Sequence, residues 1–300
     1  MRVQSPTVKD SSNELGYGVG LAARFIVESG ALDRPFVLLD IGVRGGVHPR
    51  WLALEPALEV YGFDAIAEVP TPNDRHHYFK LALGERDGEC TFYVPENLYE
   101  ARVSAEGRCK VPIAKLDTLW ARGVVPPADF IKIDCEGYEP EILAGASEYL
   151  RASSLSGADI ESHFHVATSL PYSHFAAVNA VFIEQRLRVA DLTLQRAQEA
   201  DQPWNGTCNV LFARHLLEES RDDELSANAI LKTIAIFDIY GLIGPAVALT
   251  RRFQAIIAAR IDISSLERKL ILSPKIGTLE RHLPHLGLGL WTRAKKLLTQ

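Results

Sequence analysis

The sequence predicts an α/β protein built on a doubly wound, mostly parallel sheet with one antiparallel strand near its end, followed by helices. Three observations carry this. Residues 36–41, Phe-Val-Leu-Leu-Asp-Ile, are a nearly unbroken apolar run leading into a turn with Gly42, Gly45 and Gly46, the pattern of a parallel strand buried on both faces and ending at a ligand loop. A second such strand, Phe130-Ile-Lys-Ile, ends at Asp134 and Glu136 before Pro140 opens a helix. The 300 residues, 47% apolar and 23% charged, supply an ordinary soluble core and suggest about two domains.

The four cysteines, Cys90, Cys109, Cys135 and Cys208, contain no C-x-x-C pair and read as reduced thiols. No apolar signal core marks the first residues, so the expected compartment is the cytoplasm. Residues 1–12 are polar, and residues 15–32 carry apolar side chains at helical spacing, ending near Gly30. A tail and covering helix over 1–34 therefore precede the sheet.

After the first strand, the glycines let the backbone approach a ligand, and residues 47–54 suit a helix whose amides face it. Asp40 at the strand end disfavours a pyrophosphate, and the G-x-G-x-x-G spacing of a dinucleotide loop is missing. S-adenosylmethionine (SAM) fits better: its ammonium and sulfonium suit carboxylates, its own carboxylate suits amides, and it has no phosphate. Residues 58–63 form the next strand, ending at Asp64, about 20 residues past the loop, where an acid accepts ribose hydroxyls. A solvated loop aspartate is the alternative. Residues 77–84 suit a third strand whose end, at Leu83, faces an adenine ring, and residues 89–94 an extra strand after Asp87-Gly88.

At the second strand, Asp134 and Glu136 stand at the carboxyl end, where open α/β sheets bind ligands. Glu139 reads as an acid recruited by the helix dipole, and Cys135 as a small buried hydrophobe. The helix is expected to run from Pro140 to about residue 150.

Asp40-Ile-Gly-Val-Arg-Gly-Gly46, followed by Lys132-Ile-Asp-Cys-Glu-Gly-Tyr-Glu139 and Leu143-Ala-Gly-Ala146, resembles the FkbM family of SAM-dependent methyltransferases. The resemblance spans about residues 35–215 and includes Asn209-Val-Leu-Phe-Ala-Arg214 as the closing strand. It implies a class I, Rossmann-like methyltransferase domain over 35–218. Arg44 and Val43 replace the asparagine and alanine of the family's usual loop. Cofactor contacts fall on Asp40, Gly42, Arg44, Gly46, Asp64, Leu83 and Asp134. The resemblance also implies O-methylation of a sugar, glycan or secondary-metabolite hydroxyl, with no nucleic-acid partner.

Residues 158–161 read as the next strand, followed by Ser162, His163, Phe164 and His165. His163 or His165 is the candidate proton acceptor for the hydroxyl, with Glu136 as a further catalytic candidate. A divalent metal held by Glu161 or Glu136 with a histidine is a separate expectation, with its ligands unknown. Trp204 either stacks on a sugar or fills a hydrophobic corner.

Residues 219–300 form a helical, basic region. Over 241–300 ten Lys and Arg face three acids, a balance of +7 that leaves −13 for the rest of a −6 chain. Residues 230–240 are apolar nearly all round, interrupted by Lys232 and Asp238, and too short to span a bilayer. Leu249, Phe253, Ile256 and Ile257 make one face of a helix with Arg251 and Arg252 opposite. The region either touches the inner membrane face peripherally or packs on the catalytic domain or a second subunit. Competing readings of the whole chain are a nicotinamide-dependent oxidoreductase and an inactive glycan-binding or tethering module.

Overall fold

The computed structural model describes residues 20–94, 102–104, 107–164, 174–194, 207–217 and 225–282, with the side chains of the last helix described through residue 273. In chain order the first half comprises α1 (Leu21–Glu28), β1 (Phe36–Ile41), a 3₁₀ turn (Pro49–Leu54), β2 (Leu58–Asp64), β3 (His76–Lys80), β4 (Ala82–Leu83), β5 (Gly88–Tyr93), β6 (Arg102–Val103), β7 (Cys109–Ala114) and α2 (Leu116–Ala121). The second half comprises β8 (Phe130–Ile133), α3 (Glu139–Ala144), α4 (Ser147–Ala152), β9 (Gly157–His163), α5 (His174–Glu184), β10 (Leu187–Leu194) and β11 (Thr207–Arg214). Helices α6 (Ala227–Ile239), α7 (Ile243–Arg252), α8 (Gln254–Ile257) and α9 (Ile263–His282) follow.

Seven strands form the main sheet in the order β10-β11-β9-β8-β1-β2-β3, and β4, β7, β5 and β6 form a smaller one. From β9 across to β3 all neighbours are parallel, while β11 runs antiparallel to both β9 and β10. The order reverses at β1 and β8, so the carboxyl ends of these two strands flank the switch point where such sheets bind ligands.

Side-chain alternation splits the sheet into two faces. Leu39, Ile41, Ile131, Ile133, Ala158, Ile160, Val210 and Phe212 pack with helices α2 to α5 in one core. Leu38, Phe130, Leu211 and Ala213 pack with Trp51, α1 and α6 in the other. On this second face the apolar character stops halfway up the strands. Asp40, Lys132 and Asp159 stand side by side in register above it, and Glu161 pairs with Asn209 one level higher.

Several expected elements have different bounds. Residues 77–84 are two strands in two sheets. Residues 47–54 make only a 3₁₀ turn, whose entry His48 caps by accepting from the Arg50 amide at 3.1 Å. The helix expected from Pro140 to about 150 breaks at Gly145, where a Cβ would meet the Gly84 carbonyl oxygen at 2.0 Å. Helix α1 begins at Leu21, the expected start at residue 15 lying outside the described residues. Leu249, Phe253 and Ile257 are buried as one face, but Phe253 separates α7 from α8 and Ile256 is half-buried. Among the described residues no helix is long and apolar enough to cross a membrane.

Candidate active site

The polar half of the sheet face opens into a cleft of 530 Å³ at the carboxyl ends of β1, β2 and β8. Its walls bring together Asp40, Gly42, Arg44, Gly46, Asp64, Leu83, Asp134 and Glu136, residues contributed by four separate stretches of chain. Gly42 holds a φ of 82°, and a Cβ there would lie 2.0 Å from the Asp134 carbonyl oxygen. Only glycine satisfies both the left-handed backbone and that approach, which draws the loop after β1 against the end of β8. Gly46 also has a positive φ, 95°, and its amide donates to the Val43 carbonyl at 2.9 Å.

Lys132 occupies the centre of the site. Its ammonium lies 3.5 Å from Asp40 and 3.4 Å from Asp134 and donates to the Gly42 carbonyl at 3.1 Å. Burial opposes its charge, but Asp134 and Asp40 outweigh burial and hold its pKa above the ordinary value. Asp40 is itself raised by burial, with Lys132 opposing, and its buried Oδ1 makes no hydrogen bond. The two carboxylates expected to receive a ligand ammonium alone therefore already share an internal one.

Asp64 accepts from the amides of Ile66 and Ala67 at 2.8 and 2.6 Å through one oxygen, and the other lies 3.5 Å from Arg44 Nε. Arg44 thus answers an acid across the cleft. At the opposite end Arg50, Asp159, Asn209 and Tyr240 line the wall. The Tyr240 hydroxyl donates to Asp159 at 2.9 Å, and Arg50 lies 3.9 Å from the same carboxylate and stacks 4.4 Å over the Tyr240 ring. Burial raises the Asp159 pKa against the pull of Arg50.

Glu139 departs from the expected role of a helix-dipole acid. It is fully buried and accepts from the amides of Cys135 and Gly137 at 2.8 and 3.4 Å. Its other oxygen meets His174 Nε2 at 2.8 Å, and His174 Nδ1 meets the Ser162 hydroxyl at 2.9 Å. The serine is fully buried, so this relay clamps the turn after β8 to β9 and α5. The clamped turn carries Glu136 at a left-handed φ of 55°. Cys135 is raised well above an ordinary thiol by burial and by Glu139, in keeping with an inert side chain.

Glu161, from β9, brings an oxygen within 4.8 Å of oxygens from Asp134 and Glu136. Burial first, then the charges of Asp134, Glu139 and Glu136, raise its pKa from 4.5 to about 9. His163 stands one step beyond, its Nδ1 3.1 Å from the Thr207 hydroxyl and its Nε2 near Gly137. It is not among the residues that wall the cleft. His165 and Trp204 lie outside the described residues.

Sequence reasoning did not single out Lys132, Arg50, Asp159 or Tyr240. Lys132 and Asp159 did leave a signal, one charge each inside otherwise apolar strands, Ile-Lys-Ile and Ala-Asp-Ile. Arg50 and Tyr240 left none, since a turn and the end of a distant helix supply them.

Residues 40–186, just under half of the chain, match the family model described as the methyltransferase FkbM domain. Comparison with curated proteins gives no match. Among solved structures, methyltransferase FkbM from Methylobacillus flagellatus KT is 14% identical with a TM-score of 0.36, covering 63% of this chain and 47% of that one, so this chain spans about half its length. The O-methyltransferase from Bacillus cereus, solved with S-adenosylhomocysteine, is 12% identical with a TM-score of 0.33, covering 70% and 84%. The 1,6-didemethyltoxoflavin-N1-methyltransferase of Burkholderia thailandensis, solved with its namesake and S-adenosylhomocysteine, is 14% identical with a TM-score of 0.30, covering 69% and 81%.

Proposed function

Because residues 40–186 match the FkbM methyltransferase domain, we propose that the chain is a SAM-dependent O-methyltransferase acting on a hydroxyl of a sugar, glycan or secondary metabolite. The supporting observation is the charge of the cleft. Asp40, Asp64 and Asp134 face a glycine loop, an arrangement that repels a pyrophosphate and suits a ligand with cationic groups. Asp40 Oδ1 has no hydrogen bond beyond its 3.5 Å ion pair with Lys132, which leaves it able to accept from a ligand donor.

In this reading Asp40 and Asp134 hold the amino-acid end of SAM, Arg44 and the loop of Gly42 and Gly46 its carboxylate, Asp64 the ribose and Leu83 the adenine. When bound, SAM supplies a methyl carbon made electrophilic by its sulfonium. The chain's own contribution is alignment of the acceptor oxygen behind that carbon, which needs no covalent enzyme intermediate. Arg50, Asp159, Asn209 and Tyr240 place donors and acceptors along the far wall, a surface suited to a hydroxyl-rich acceptor. Glu136 or His163 takes the acceptor proton. Carboxylates beside the sulfonium stabilise it before transfer more than during it, so Asp40 and Asp134 act in binding rather than in rate.

Calorimetric titration with SAM and with NAD, followed by methyl-transfer assays on a panel of sugars and polyols, tests this. SAM should bind and NAD should not. Glu136→Gln or His163→Ala should lower turnover about 100-fold with SAM affinity retained. Binding of NAD in place of SAM would return the oxidoreductase reading, and SAM binding without transfer to any acceptor would favour the inactive module.

A further inference from the structure

We propose that Asp134, Glu136 and Glu161 form a site for one divalent cation of the hard, oxygen-preferring class, Mg²⁺, Mn²⁺ or Ca²⁺, at the acceptor side of the cleft. Three carboxylates from two strand ends each offer an oxygen, and these lie within 4.8 Å of one another. Oxygens on opposite sides of an ion at about 2.4 Å stand about 4.8 Å apart, so the spacing already fits a single coordination sphere. A set made only of carboxylates selects this class over softer metals.

An acidic cluster alone would not carry the argument. The second observation is Glu161, only 9% exposed, whose Oε2 is buried and makes no hydrogen bond. Buried polar atoms are nearly always satisfied, and a buried carboxylate with an oxygen left unsatisfied and one within 4.8 Å of two further carboxylates has a specific reason to take a cation. Lys132 does not supply it, because its ammonium lies against Asp40, Asp134 and the Gly42 carbonyl. The scaffold is rigid where the ligands are: the Glu139 carboxylate ties the Cys135 and Gly137 amides on either side of Glu136 and is held in turn by His174. Such outer contacts are what fix ligating carboxylates in orientation.

The ion's use, orienting an acceptor oxygen beside Glu136, rests on the proposed methyl transfer, whereas its binding does not. The test is therefore binding. The whole chain is titrated with MnCl₂ at constant ionic strength, by calorimetry and by loss of the free-ion Mn²⁺ electron paramagnetic resonance signal, with MgCl₂ and CaCl₂ as competitors. One saturable site is expected, weakened about tenfold or more in Glu161→Gln and in Glu136→Gln. Glu161→Gln keeps size and shape, and Glu136 is exposed, so at least one variant should fold, as its melting curve will show. SAM affinity, measured on the same samples without metal, should change little in either variant. No saturable Mn²⁺ binding, or binding undiminished in a folded variant, would overturn the site. Mn²⁺ binding with no SAM binding would leave the site standing and overturn the methyltransferase reading, and SAM binding without Mn²⁺ would do the reverse.

Discussion

Asp64, proposed to hold the ribose, also organises its own loop. One oxygen accepts from Ile66 and Ala67 while the other faces Arg44. Asp64→Ala should therefore weaken SAM binding by about 1–3 kcal/mol and also loosen the loop. Asp64→Asn, which keeps an acceptor for the two amides, separates the effects: melting temperature should recover more than SAM affinity. Unchanged affinity in Asp64→Ala by calorimetry would remove the ribose assignment. Asp40, Asp64 and Asp134 were legible because each ends an apolar strand, and strand ends converge at a switch point. Glu139 was not, because its importance depends on His174, brought to it by the fold from 35 residues away. Glu139→Ala would strand that histidine and two amides in the interior, and should cost about 3–5 kcal/mol in chemical denaturation. A loss under about 1 kcal/mol would show that the relay is not holding the turn.

Among the elements, strands with continuous apolar runs were readable and helix limits were not. Where a helix stops here depends on contacts distant in sequence, as at Gly145 against Gly84. Helix α1 shows the same at its start. Gly20 precedes it without a side-chain cap, and Asp238 of α6 accepts from the Ala22 and Ala23 amides at 2.8 and 2.9 Å instead. Sequence pattern cannot reveal a cap lent from 216 positions away. Burial raises this carboxyl from 3.8 to about 6, against the pull of the Ala23 and Ala22 amides and the Ser273 hydroxyl. The sign follows from proton binding. Below about pH 4 folded and unfolded chains both hold the proton; between about 4 and 6 only the folded chain does, so stability falls as pH rises, by about 3 kcal/mol in all. Asp238→Asn keeps an acceptor for the amides and removes the titration. The difference in unfolding free energy between variant and parent should grow in the variant's favour from pH 4 to 6 and then level off. A difference independent of pH would refute the assignment.

Over the whole molecule, the helical carboxyl-terminal region shares one core with the sheet. Leu249, Phe253, Ile257, Leu266 and Leu270 are buried with α1, α6 and the face of β1 and β8. Several of the basic residues that gave the region its positive balance have local partners: Arg251 with Glu267 at 2.9 Å, Arg260 with Asp33, and Lys269 over the Phe25 ring at 5.1 Å. A membrane-seated amphipathic helix needs its apolar side chains free to enter the headgroup layer. The five named here are not. Composition showed the charge of this stretch, but amphipathic spacing is the same whether a helix faces lipid or its own protein, so the sequence could not choose. Two measurements follow. The whole chain should stay in the supernatant with anionic vesicles at low salt, where attraction to lipid charge is least screened. A chain ending after residue 240 should fail to fold, since each buried side chain of this kind contributes about 1.5–3 kcal/mol and five together rival the about 5–15 kcal/mol of a whole domain. Sedimentation of the whole chain with vesicles, reversed by salt, together with a truncated chain that melts like the parent, would show instead that the region is a separable anchor.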